Sequence, residues 1–88
     1  MKKPKINVTR KAMPDEYLKE LQKIARMIHE FRFNFGMLTQ KELAENCNLH
    51  QNTIQAIESG SENYNLLSLM KILVYFNYDI TTFFKEMF

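Results

Sequence analysis

The side chains with recognition chemistry to offer in this sequence are amides: Gln40, Gln51, Asn52 and Gln55 fall close together in the middle of the chain. A primary amide carries a donor and an acceptor side by side, the pair that the N6 and N7 edge of adenine complements, and a small apolar residue such as Ala56 can pack on a thymine methyl. Thr53 adds a hydroxyl that can meet a base edge or a phosphate. His50 opens the same stretch and reads equally as a base-contacting residue or as an ordinary helix start. Standing alone, these residues would be solvated surface, so the elements around them decide. Bond-making chemistry has no comparable set. His29, Cys47 and His50 are too few and too scattered for a triad or a metal site, the single cysteine leaves no CxxC pair, and two glycines build no phosphate loop. The expectation is a protein that is not an enzyme and has no cofactor and no metal. Cys47 reads as a small core residue and Glu58 as structural, with Arg32 or Lys41 as its partner.

The positioning elements follow from local signals. Pro14 suits a first helical turn, Asp15 and Glu16 suit the positive end of the helix dipole, and a helix over 14–33 is expected. Leu18, Leu21, Ala25 and Ile28 form its apolar stripe, widened by Tyr17, Ile24 and Phe31. Asn34, Phe35 and Gly36 interrupt it. Thr39-Gln40-Lys41-Glu42 reads as a capping box opening a short helix over 40–46, with Leu43 and Ala44 inward and a turn at Cys47-Asn48-Leu49. The next helix spans 50–59, with Ile54 and Ile57 inward, every other side chain but Ala56 polar, and Gly60 as terminator. Asn65 caps a fourth helix over 66–76, Asn77 ends it in the left-handed region, and Asp79 caps a fifth through Met87. No strand-period alternation competes, and no repeat is present.

Eighty-eight residues at 45% hydrophobic and 25% charged suit one thin-cored domain that dimerisation would help. The basic start lacks the apolar run of a signal peptide, and Lys71, Asn77 and Asp79 break the most hydrophobic region, so no membrane association is expected and a cytoplasmic location fits. Net charge is +2, but Lys2, Lys3, Lys5, Arg10 and Lys11 stand without an acidic residue in the first eleven, leaving seven basic against ten acidic residues thereafter. The basic character therefore belongs to an arm, residues 1–12, ahead of a domain over 13–88. The arm reads as a solvated terminus that aids solubility, or as a set of phosphate contacts that enters the minor groove.

Two short helices joined by a tight turn, with Ala44 where they cross, form a helix-turn-helix arrangement. The segment TQKELAENCNLHQNTIQAIESG resembles that of the Cro and phage-repressor type, the XRE family, through Thr39, Gln40, Leu43, Ala44, Ile54, Ile57, Glu58 and Gly60 together. The likeness continues through NYNLLSLMKILVYFNYDITTFF and covers most of the chain. It implies an all-α, five-helix, lambda-repressor-like domain that binds double-stranded DNA. The family role is that of a transcriptional regulator, typically a repressor, that reads a palindromic operator as a dimer. By position, Gln40 matches the residue that holds a phosphate and braces the recognition helix. His50, Gln51 and Asn52 match the exposed first turn of that helix, Gln55 and Ala56 the turn beyond. Thr53 and the arm's Lys2, Lys3, Lys5, Arg10 and Lys11 join Gln40 as phosphate candidates.

Two departures from the family stand out. The recognition helix holds no Lys or Arg, which leans the expected site toward A·T. The linker FNFGML is about one residue longer than the family's usual form, so Arg32 is not assigned the place of the family's arginine at the end of helix one. Six of the eleven aromatics lie in the last fourteen residues. Phe76 and Phe83 match buried positions, while Tyr75, Tyr78, Phe84 and Phe88 are the expected homodimer surface. Controller proteins of restriction-modification systems and toxin-neutralising antitoxins share this layout, so a toxin or other protein partner is a further expectation. The competing readings are a protein-interaction module that kept the fold without specific DNA binding, and a non-specific architectural protein.

Overall fold

The computed structural model describes residues 14–87 as five helices and, among those residues, no strand. They are α1 (Asp15–Asn34), α2 (Gln40–Cys47), α3 (Gln51–Glu58), α4 (Leu66–Tyr75) and α5 (Ile80–Met87). The basic arm, with Lys2, Lys3, Lys5, Arg10 and Lys11, and the terminal Phe88 lie outside the described residues.

Local chemistry sets the helix ends. Pro14 sits one position before α1, as its N-cap at φ −55° and ψ 147°, rather than inside the first turn. The capping box of α2 is complete: Glu42 N donates to Thr39 Oγ1 at 3.0 Å and Thr39 N donates to Glu42 Oε1 at 2.8 Å. Asn48 ends α2 in the left-handed region (φ 58°, ψ 48°), and Leu49 N closes the turn on Ala44 O at 2.8 Å. His50 precedes α3 as an extended N-cap without a side-chain cap bond, so α3 is one residue shorter at each end than expected. Gly60 follows at φ +81°, a conformation that favours glycine, and Ser61 N donates back to Ala56 O at 3.0 Å. Asn65 caps α4 through Ser68 N at 2.9 Å, and Asp79 caps α5 through Thr82 N at 3.1 Å. Phe76 falls just beyond α4, and Asn77 takes φ 58°.

The core gathers one face of every helix: Ile28 and Phe31 of α1, Leu43, Ala44 and Cys47 of α2, Ile54 and Ile57 of α3, Leu69, Ile72 and Leu73 of α4, and Phe83 of α5. Phe83 is completely buried, and Phe76 is half-buried against the cluster. Phe31 is the hub of the aromatic packing, with ring centroids 5.6 Å from Phe76, 4.9 Å from Tyr78 and 6.1 Å from Phe83.

The expected stripe of α1 is only half used. Ala25, Ile28 and Phe31 are buried, but Leu18 is exposed, Tyr17 is 56% exposed and Leu21 only half-buried. The other helices pack against the C-terminal half of α1, so its first turns carry apolar residues at the right spacing without a described element beneath them.

Candidate nucleic-acid interface

The residues that position α3 are apolar and wholly withdrawn from solvent. Ile54 and Ile57 are 0% exposed, and Ala44, 2% exposed, holds the small-residue place of α2. Burying that side of an eight-residue helix turns Gln51, Asn52 and Gln55 outward, and all three are exposed. Thr53 and Ala56 flank them half-buried, and His50 stands exposed at the helix start. The structure thus brings Gln51, Asn52, Gln55 and Ala56 to one helix with His50 at its N-cap, the outward side carrying amide donors and acceptors and no formal charge.

A polar network ties the far end of α3 to α1 and α2. Arg32 grips Glu58 with two bonds, Nε to Oε2 at 2.8 Å and Nη2 to Oε1 at 2.9 Å, while its Nη1 donates to Leu38 O at 2.7 Å. Gln40 Nε2 donates to Glu58 Oε1 at 3.2 Å. His29 Nδ1 lies 3.3 Å from Glu58 Oε1 and 3.1 Å from Arg32 Nη2, and its ring packs beside Phe33. Burial pushes the Glu58 carboxyl up. Hydrogen bonds from Arg32, Gln40 and His29, with the charge of Arg32, outweigh that and hold it below the ordinary glutamate value. The Arg32 guanidinium is raised in turn by its bond to Glu58, against the cost of burial.

Of the two expected partners of Glu58, Arg32 is the one present; Lys41 is exposed on α2. The extra linker length does not remove Arg32 from the site. Gly36 at φ +127° and Met37 at φ +52° fold the chain back so that Leu38 N donates to Arg32 O at 3.1 Å, which leaves the guanidinium between the two helix ends.

Gln40 is half-buried at the first position of α2, and its tie to α3 is the bond to Glu58. The capping box occupies the amides of Thr39 and Glu42, whereas helix geometry gives those of Gln40 and Lys41 no acceptor within α2. Lys41, exposed beside Gln40 on the same helix end, is a further candidate there that its adjacency in sequence also marks.

At the C-terminal end, Tyr75 is 41% exposed with its hydroxyl accepting from Asn46 Nδ2 at 2.9 Å. Tyr78 and Phe84 are half-buried, Tyr78 bonding Glu86 and Phe84 packing on Phe83 at 5.4 Å. A neighbouring apolar surface went unread: Leu66 (57%), Leu67 (59%), Met70 (38%) and Val74 (72%) are exposed along α4. Its signal was the run LLSLMKILVY, apolar on every side of the helix where a surface helix carries one apolar stripe.

A helix-turn-helix family model matches residues 36–83. Among solved structures, a point variant of the restriction-modification controller protein C.Esp1396I is similar at 30% identity, over 78% of this chain and 91% of that one, with a TM-score of 0.66. The same controller protein bound to a 19 base pair DNA duplex matches at 31% identity over 77% of this chain and 89% of that one, with a TM-score of 0.65. No curated protein sequence matches the chain.

Proposed function

The chain belongs to the XRE-type helix-turn-helix family, and on that premise we propose that it is a sequence-specific DNA-binding regulator of transcription. The observation that carries this reading is the orientation of α3: Ile54 and Ile57 are sealed inside while Gln51, Asn52 and Gln55 face outward. With α3 in the major groove, Gln51 and Asn52 read adenine edges, Ala56 packs on a thymine methyl, and His50 and Gln55 contact bases on either side. Gln40, Thr53, Lys41 and the free amides of α2 meet phosphates. A recognition helix without cations leaves electrostatic affinity to Lys41 and to the arm's Lys2, Lys3, Lys5, Arg10 and Lys11, each cation–phosphate contact adding about −0.9 to the log–log salt slope.

A single α3 spans too few base pairs for a unique address, and a two-fold dimer reading a palindrome supplies the second half-site. Leu66, Met70 and Val74 recur at every fourth residue and form one ridge on α4. Grooves flank it, one lined by Asn46, Cys47, Leu67, Lys71 and Tyr75, the other by Leu73, Tyr78 and Ile80. A ridge beside its own groove suits the self-complementary contact of a two-fold axis. We place the homodimer on this ridge together with Tyr75, Tyr78, Phe84 and Phe88.

The dimer acts by occupancy, as a repressor blocking an operator, and needs no bond-making step. Likeness to a restriction-modification controller protein favours a controller role over toxin neutralisation. Among the described residues no helix is long and apolar enough to cross a membrane. The uncharged outward side of α3 and the acidic excess after the arm favour a second reading, a protein-interaction module. Fluorescence anisotropy with the native upstream duplex and a scrambled one, at two salt concentrations, separates the two. Tight binding to the native duplex alone supports the regulator; binding to neither moves the assignment to a protein partner.

A further inference from the structure

We propose that Glu58 is a positioning residue that decides which edge of the Gln40 amide meets a DNA phosphate. This rests on the DNA-binding reading above. Glu58 ends α3 and its side chain is 6% exposed, yet it reaches both Arg32 of α1 and Gln40 of α2. An ionised carboxylate only accepts, so the amide of Gln40 must turn its nitrogen toward Glu58 Oε1, 3.2 Å away. That nitrogen has a second hydrogen, and a phosphate oxygen also only accepts. Left alone, the terminal torsion of a glutamine is broad and roughly two-fold, so its oxygen would face the phosphate as readily as its nitrogen. The bond to Glu58 removes that choice and keeps the second N–H free for the phosphate. Arg32 fixes the carboxylate in turn through two bonds, and by holding Leu38 O it fixes the segment that leads into Thr39 and Gln40.

Charge and positioning predict opposite outcomes. A carboxylate near DNA repels phosphate, so removing it should tighten binding if charge alone mattered. If Glu58 positions Gln40, removing it weakens binding, and only while the Gln40 side chain is present.

The test is a double-mutant cycle with the full chain: wild type, Glu58→Gln, Gln40→Ala and the double variant. Each is titrated by anisotropy against the native upstream duplex and a scrambled one at low salt, with thermal melts alongside. Glu58→Asp joins the set. It keeps the charge beside Arg32 while withdrawing the carboxylate from Gln40, so it serves if Glu58→Gln does not fold. The expected result is about 2- to 10-fold weaker binding to both duplexes, the scale of one side chain no longer ordered in advance. The ratio between duplexes stays unchanged, and no further loss appears in the Gln40→Ala background. Equal losses with and without the Gln40 side chain would overturn the proposal and leave Glu58 structural. Unchanged or tighter binding would overturn it as well. If wild type binds neither duplex at low salt, the DNA-binding reading fails and this inference with it.

Discussion

Gln51 and Asn52 are exposed and touch nothing that the fold requires, so the double change to alanine isolates recognition from stability. A good bidentate base contact discriminates by about 1–3 kcal/mol, and the native-to-scrambled affinity ratio should fall accordingly while the melting temperature stays put. Unchanged preference would place base reading elsewhere. Cys47 makes the opposite case: burial pushes its thiol up to about 11, so it stays protonated and inert at neutral pH. A thiol reagent should label it at a rate set by unfolding, and prompt labelling of the folded protein would contradict the burial. Glu58 carries a pH signature. Its folded pKa lies below the unfolded value, so its contribution is fully present above the ordinary glutamate range and is lost as pH falls through the folded pKa. Near neutral pH, Glu58→Ala should cost roughly 3 kcal/mol by stranding the guanidinium of Arg32, which is 12% exposed. Denaturation curves of both proteins should draw together as pH falls through that folded pKa, below the ordinary glutamate range.

Among the elements, α2 bears the most constraint for its length. Its capping box ties Thr39 to Glu42 across the first turn, so Thr39→Ala should destabilise by about 0.5–2 kcal/mol in urea denaturation. Ala44, 2% exposed, admits no larger side chain without parting α2 from its neighbours, and Ala44→Leu should cost about 1–3 kcal/mol. These constraints were legible because a cap, a turn and an inward small residue are written within a few residues of one another. The ends of α3 and α4 were placed a residue too far because His50, Ser59 and Phe76 are half-in cap positions, which residue type alone does not separate from helix interior.

For the whole molecule, the proposed homodimer rests on the apolar surface of α4. A specific interface buries upward of about 1,000 Å² in all, so the ridge and Tyr75 need the flanking grooves to reach it. Light scattering after gel filtration should find a dimer for wild type and a monomer for Met70→Glu/Val74→Glu, with DNA affinity reduced as the second half-site is lost. A double variant that stays dimeric would move the contact to the aromatic end of α5. Phe83 and Phe76 take the buried places the sequence assigns them, Tyr78 and Phe84 pack half-buried against the core, and aliphatic residues of α4 are left outside.

By itself the sequence determined the five helices, their caps, the tight turn and the outward amides of α3. Each follows from contacts between residues close in the chain or from the helical period. Only the tertiary structure decided that Arg32 rather than Lys41 takes Glu58, that Gln40 joins that network, that no described helix covers Tyr17 and Leu18 of α1 and that Leu66, Met70 and Val74 stay exposed. A pair such as Arg32 and Glu58, far apart in the chain, is chosen by the path of the linker at Gly36 and Met37. Which of several apolar faces is buried depends on where the other helices have room to pack, and neither is encoded in local spacing.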